Sequence, residues 1–210
     1  MQTIDEMIAA GKGRSANTGA FSTGVVGGGA GTVLTIGEPE LAIGVPAGIF
    51  IRPFYVASQV QGGAIATDAD ENEVLIAVDS LGYWNGNGTF TAVDPSNLRT
   101  DLDKGSACRV GAAVTGALTT TPGFAVIAAA APVLDLELGR KVMQIDVATN
   151  VNNTDIGLNY VYQPKHPIFI VGPSTLLVYF GGTVAVVGGF IQAQWVEGSV
   201  DELPPIGLPA

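Results

Sequence analysis

The sequence predicts an all-β protein built as an antiparallel β-sandwich. From about residue 32 onward, short apolar or alternating runs are separated by turn residues, which is the pattern of strands in a sandwich or barrel. No long pattern of helical period follows residue 10. No internal repeat of about 20 to 50 residues is present, which argues against solenoids and propellers. Hydrophobic residues make up 47% of the chain, which is too many for a disordered protein.

Residues 1–31 are predicted to be a short helix followed by a flexible arm. Thr3 is a capping residue, Asp5 is an acidic residue of a first turn, and Gly11 is a stop signal. Residues 11–31 are nearly all Gly, Ser, Ala, Asn, Thr and Val, a composition that cannot form a core by itself. We therefore expect an extended N-terminal arm that becomes ordered only when a neighbour receives it.

The β-sandwich domain is predicted to span residues 32–198. Residues 190–195 alternate, so that Gln192 and Gln194 share one solvent-facing side. Residues 175–180 are apolar throughout, which is typical of a strand buried on both faces. The candidate strands are residues 32–36, 49–57, 74–79, 109–115, 124–128, 142–148, 157–162, 168–171, 175–180 and 189–197.

Residues 199–210 are predicted to be a proline-rich C-terminal tail. Pro204, Pro205 and Pro209 favour a polyproline-like conformation that cannot pair as a central strand. This tail would be a second extended arm.

The charge balance argues against two classes of partner. Nine basic and 19 acidic residues give a formal charge of −10, which repels nucleic acid and anionic membranes.

Three long uncharged stretches, residues 15–37, 110–134 and 166–196, are interrupted by turn residues and so are predicted to be strands rather than membrane spans. The N-terminus lacks the basic region of a signal peptide, which favours folding in a cytoplasm. A mean hydropathy of +0.39 indicates that subunit interfaces bury apolar surface.

The residues that usually carry catalysis are sparse. The single cysteine, Cys108, is predicted to be a reduced core residue, and the single histidine, His166, lies in a proline-rigid turn. Cupin enzymes require two or more histidines around a metal, so that use of a β-sandwich is not expected. The glycine run at residues 27–31 precedes a strand-like segment instead of a helix, unlike a phosphate-binding loop. We predict no catalytic, cofactor-binding or metal-binding residues.

Two segments remain as candidate binding sites. Residues 68–73, from Asp68 to Glu73, gather four carboxylates and an amide, which could bind Ca²⁺ or form an exposed acidic hairpin loop. The loop is favoured because the spacing is not that of an EF-hand. Residues 83–90, from Tyr83 to Phe90, place aromatic side chains beside amides and Asn-Gly turns, as a sugar-binding loop can. The alternative is a hairpin whose aromatic side chains fill a core or an interface.

The C-terminal part of the sequence resembles known virion proteins. Residues 170–183, which begin Ile170-Val-Gly-Pro-Ser-Thr, and residues 188–197, which end in Trp195-Val-Glu197, resemble the closing strands of jelly-roll virion proteins of bacteriophages. The resemblance implies a jelly-roll sandwich, and a head decoration, cement or capsid protein that trimerises and clamps its neighbours with its arms. It implies no functional residue, and the absence of a long helix favours an accessory shell role over the tailed-phage major capsid protein.

Three hypotheses follow. The favoured one is a non-enzymatic shell protein, a homotrimer located in the virion, with other shell proteins as partners. The second is a carbohydrate- or receptor-binding jelly-roll module that uses Tyr83, Trp84, Asn85 and Asn87. The third is a hydrolase with two facing carboxylates, such as Asp146 and Asp155, which no spacing in the sequence requires.

Overall fold

Two antiparallel β-sheets packed face to face form the fold. The computed structural model describes residues 2–19, 25–26, 34, 36, 39–61, 70–80, 89–102, 105–115, 132–145, 157–182 and 188–204. The strands are β1 (Gly13–Asn17), β2 (Val25–Val26), β3 (Leu41–Val45), β4 (Ile49–Gln61), β5 (Asp70–Asp79), β6 (Thr89–Val93), β7 (Ser96–Asn97), β8 (Arg109–Thr115), β9 (Leu136–Ile145), β10 (Gly157–Tyr162), β11 (Ile170–Val171), β12 (Ser174–Gly182) and β13 (Gly188–Ser199). A helix, α1, spans Ile4–Ala9, and a 3-10 helix spans Val200–Glu202.

The strand connectivity is that of a jelly roll, which confirms the predicted fold class. The first sheet has the order β10-β4-β13-β1-β7, with β11 also paired to β4 and β2 to β13. The second sheet has the order β6-β8-β3-β12-β5-β9. Eight strands make the frame: β1, β4, β10 and β13 in the first sheet, and β3, β5, β9 and β12 in the second. The chain crosses between the sheets after most of these strands, as in the double Greek key of a jelly roll.

The core lies between the sheets and extends to the outer side of the second sheet. Trp195 and Phe180 are among the largest fully buried side chains between the sheets. On the other face of the second sheet, Leu177 and Tyr179 are also buried, and Leu34 and Leu134 pack against them. The Tyr179 hydroxyl donates a hydrogen bond of 2.8 Å to the carbonyl oxygen of Ile36. The prediction that residues 175–180 are buried on both faces is therefore confirmed.

Helix α1 follows the predicted signals. Thr3 caps it, since the Thr3 hydroxyl accepts a hydrogen bond from the Glu6 amide while the Glu6 carboxylate accepts one from the Thr3 amide. The helix is followed by Gly11, whose φ of 78° lies in the left-handed region that glycine tolerates. Met7 packs on Phe50 and on Val196, so the helix covers one end of the outer face of the first sheet.

The predicted N-terminal arm is wrong for residues 13–17. These residues form β1, which pairs with Gln192–Val196 of β13 on one side and with β7 on the other. Small side chains allow this, because Ala16 fits between the sheets at 2% exposure. Arg14 is bound by a carboxylate of β13, as described below. Val25 and Val26 of the predicted arm also pair with β13, as strand β2. Residues 20–24 and 27–31 of the predicted arm lie outside the described residues.

The strand bounds differ from the prediction in several places. Strand β9 begins at Leu136, before the expected start at residue 142, and β3 and β6 were not predicted. Residues 34 and 36 of the predicted strand 32–36 are described and lie in no strand, and residues 124–128 lie outside the described part. The predicted tail also begins later, because Ser199 ends β13 and Leu203 packs against the cluster around Met7 and Phe50. Residues 205–210 are not described.

Candidate functional site

Residues 70–73 of the acidic segment do not form the exposed loop that the sequence predicts. Residues 70–73 begin β5 and pair with β9, and Asn72 and Glu73 are buried. The Glu73 carboxylate forms an ion pair with Arg140 of β9, and Arg140 also binds Glu137. Cross-strand pairing therefore holds this end of the segment in the sheet. Asp68 lies outside the described residues, among which no cluster of three or more metal-binding side chains occurs.

The sugar-binding role of residues 83–90 stays a prediction. Residues 81–88, which include Tyr83, Trp84, Asn85 and Asn87, lie outside the described part of the chain. The backbone of Phe90 lies in β6. Asp146 and Asp155, the carboxylates of the hydrolase hypothesis, are also outside it.

The single histidine and the single cysteine differ in their exposure to solvent. His166 is exposed between β10 and β11. Cys108 is buried at 4% exposure, directly before β8. Burial raises the pKa of the Cys108 thiol, and the negative charge of Glu197 raises it further. Because the thiolate is the nucleophile, this thiol is poorly suited to attack a substrate.

We expect Cys108 to react slowly with a thiol reagent while the protein is folded. With Ellman's reagent near neutral pH, the native protein should release little product, and addition of urea should release one equivalent per chain, because the sequence contains one cysteine. A rapid stoichiometric reaction of the native protein would contradict the buried position.

A buried polar cluster surrounds Glu197 of β13. The Arg14 Nε atom lies 3.0 Å from Glu197 Oε1, with the two side chains 13% and 8% exposed. Ser106 Oγ and the Ala107 amide donate hydrogen bonds of 2.5 Å and 3.2 Å to the same carboxylate. Trp195 Nε1 donates a longer one of 3.4 Å. The contact of Arg14 Nε with Glu197 is an ion pair without hydrogen-bond geometry. Together these contacts attach β1 and residues 106–107 to β13.

The Arg14 guanidinium also binds the turn before β1. Its NH1 group donates to the carbonyl oxygens of Gly11 and Gly13, at 2.6 Å and 3.0 Å. Arg14 thus binds the carbonyl oxygens of the turn and the Glu197 carboxylate of β13. These contacts stabilise β1, which has little apolar surface to bury.

The open part of the first sheet carries an uncharged outer face. Because alternate residues of a strand point to opposite sides, the neighbours of core residues Ala16, Ile191, Val56 and Leu158 face outward. We call this surface the amide face. It comprises Ser15, Asn17, Tyr55, Ala57, Gln59, Asn159, Val161, Phe190, Gln192 and Gln194.

Strand register aligns these side chains in rows across the sheet. One row runs through Val161, Ala57, Gln192 and Asn17, which are paired in that order across β10, β4, β13 and β1. A second row joins Asn159, Gln59 and Phe190. A third joins Tyr55, Gln194 and Ser15. None of the ten side chains is ionisable at neutral pH, in a chain with 28 charged residues, the sum of 9 basic and 19 acidic ones.

The sequence revealed part of this face. The alternation in residues 190–195 predicted that Gln192 and Gln194 share a solvent-facing side, and both are half-buried on the outer face. The contributions of β1, β4 and β10 were missed because they depend on register between strands far apart in sequence.

Fold and site together define a jelly-roll β-sandwich with an uncharged outer sheet face. Comparison with known proteins finds no protein-family model that matches the chain, no similar curated protein and no similar solved structure. In the described part of the chain, no helix has the length and apolar character needed to cross a membrane.

Proposed function

We propose that the protein is a non-enzymatic structural subunit that self-associates through the amide face, as a decoration, cement or shell protein of a bacteriophage virion. The observation that carries the proposal is the uncharged character of this face. The jelly-roll connectivity supports the proposal, since capsid proteins commonly use this fold. This support rests on analogy of fold, and lectin domains share the jelly-roll fold.

Electrostatics favours association at this face over other surfaces. Copies that each carry a formal charge of −10 repel one another, and the repulsion is smallest where uncharged surfaces meet. Protein interfaces are depleted in charged side chains at their centres and enriched in aromatic ones. The amide face meets both conditions, with Tyr55 and Phe190 among its members and Val161 exposed at 51%.

The expected mode of association differs from clamping by an N-terminal arm. Residues 2–19 lie on or within the chain's own first sheet, through α1 and β1. They are therefore engaged within the subunit, and the contact with a neighbour is proposed to form at the amide face instead.

The test is the mass of the protein in solution. We expect light scattering to give a trimer, three times the chain mass of 21.4 kDa, at micromolar concentration. The substitution Gln192→Glu places a negative charge in the middle of one row of the amide face. The added carboxylate would be desolvated at the interface without a counter-ion, so the variant should dissociate to the single-chain mass.

A matched control separates this effect from general repulsion. Thr100→Glu adds the same charge in an exposed turn after β7 and should leave the mass unchanged. Circular dichroism should show both variants folded. A monomeric wild-type protein, or a Gln192→Glu variant with the wild-type mass, would overturn the proposed association.

A carbohydrate-binding role is the second candidate, and the same face favours it. Side-chain amides can donate and accept hydrogen bonds with sugar hydroxyls, and the Tyr55 ring offers an apolar surface. A protein that stays monomeric and is retarded in native gels containing a neutral polysaccharide would support this role in place of self-association.

A further inference from the structure

A cavity of about 370 Å³ lies where α1 crosses the first sheet. Its apolar wall is formed by Met7, Phe50, Phe169 and Leu203. The rings of Phe50 and Phe169 meet edge to face, with centroids 5.4 Å apart and planes inclined by 67°. The volume is within the range of about 300 to 1,000 Å³ that small-molecule sites occupy.

Arg52 of β4 is the unusual group in this cavity. Its guanidinium carbon lies 4.7 Å from the centroid of the Phe169 ring, in a cation–π contact. Its Nε atom is buried and has no hydrogen-bond partner. No carboxylate of the described residues forms an ion pair with it, although the chain carries 19 acidic residues. The Arg52 side chain is half-buried, and an anion in the cavity could accept charge-assisted hydrogen bonds from its unpartnered Nε–H.

The other charges of the cavity neutralise each other. Lys12 Nζ lies 2.5 Å from Glu202 Oε2. The hydrogen bond from Lys12 lowers the pKa of the Glu202 carboxyl, so this acid stays ionised and engaged at neutral pH. Among the lining side chains, Arg52 is therefore the charged group without an ion-pair partner.

We propose that this cavity binds a small organic carboxylate with an apolar or aromatic body. The carboxylate would accept hydrogen bonds from the Arg52 guanidinium, whose planar geometry suits it. The body of the ligand would contact the wall formed by Phe50, Phe169, Met7 and Leu203. The cavity lies at the end of the same sheet face that α1 covers, one row beyond Tyr55 and Gln194 of the amide face. The proposal does not rest on the proposed self-association.

The test uses phenylacetate as the probe and methionine methyl groups as reporters. Protein labelled with ¹³C at the methionine methyls is titrated with phenylacetate and, separately, with phenylacetamide, a neutral molecule of the same size. We expect the Met7 signal to shift saturably with phenylacetate, with a Kd on the order of 1 mM, and at least roughly tenfold more weakly with phenylacetamide. Met143, in β9 of the other sheet, serves as the internal reference.

Two variants assign the effect to Arg52. Arg52→Gln should weaken phenylacetate binding roughly tenfold or more, since it removes the charge and retains a polar side chain. Lys141→Gln removes one exposed positive charge from β9 and should leave the affinity unchanged. A Met7 signal that does not shift, or equal binding of the acid and the amide by the wild-type protein, overturns the proposal without relying on the folding of any variant. Wild-type affinity in Arg52→Gln does so as well.

Discussion

Trp195→Ala is expected to lower the free energy of unfolding by about 3–5 kcal/mol. Trp195 is fully buried between the two sheets, in the strand that lies at the centre of the first sheet. Alanine would leave a large cavity that the neighbouring strands cannot fill. Urea unfolding followed by circular dichroism measures the change.

Trp195→Phe provides the matched comparison. Phenylalanine retains most of the ring volume and loses the Nε1 donor, whose hydrogen bond to Glu197 is long at 3.4 Å. We expect a smaller loss of about 1–2 kcal/mol. Equal losses in the two variants would contradict the view that packing dominates at this position.

Glu197→Ala is expected to have an effect of similar size, about 3–5 kcal/mol. The substitution leaves Arg14, whose side chain is 13% exposed, without its counter-ion. It also removes the acceptor for Ser106 Oγ and for the Ala107 amide. Urea unfolding again measures the loss.

Glu197→Gln tests which part of the interaction matters. The amide oxygen can still accept the hydrogen bonds from Ser106 and Ala107, so a smaller loss than in Glu197→Ala is expected. Both variants remove the negative charge that raises the pKa of the Cys108 thiol, so that pKa should fall. An alanine variant as stable as the wild type would contradict the buried ion pair.

Strands whose sequence pattern and flanking turn residues mark both ends could be predicted from the sequence alone. Residues 109–115 and 157–162 were predicted with the bounds that β8 and β10 have, because turn residues delimit each run. Strand β1 was not predictable in this way. Its inward side chains are Ala16 and Arg14, and the burial of Arg14 depends on Glu197, which lies 183 positions later in the chain (197 − 14).

The binding surfaces were less accessible to sequence analysis than the strands. Alternation places Gln192 and Gln194 on one side, but the alignment of Asn17 with Gln192 and of Gln59 with Phe190 follows from strand order and register. The cavity beside α1 likewise combines Met7, Arg52 and Phe169 from distant segments. Each of these residues alone is an ordinary feature of a β-sandwich. The binding surfaces can be recognised only when the fold brings the residues together.

The central position of β13 in the first sheet has a consequence for synthesis on the ribosome. Strand β13 lies between β4 and β1, yet it is the last strand of the described chain to be translated. Until it emerges, β1 and β4 have no shared partner and expose unpaired backbone groups, a condition that favours aggregation. The first sheet therefore cannot be completed before β13 has emerged from the ribosome, and the domain stays incompletely folded until then.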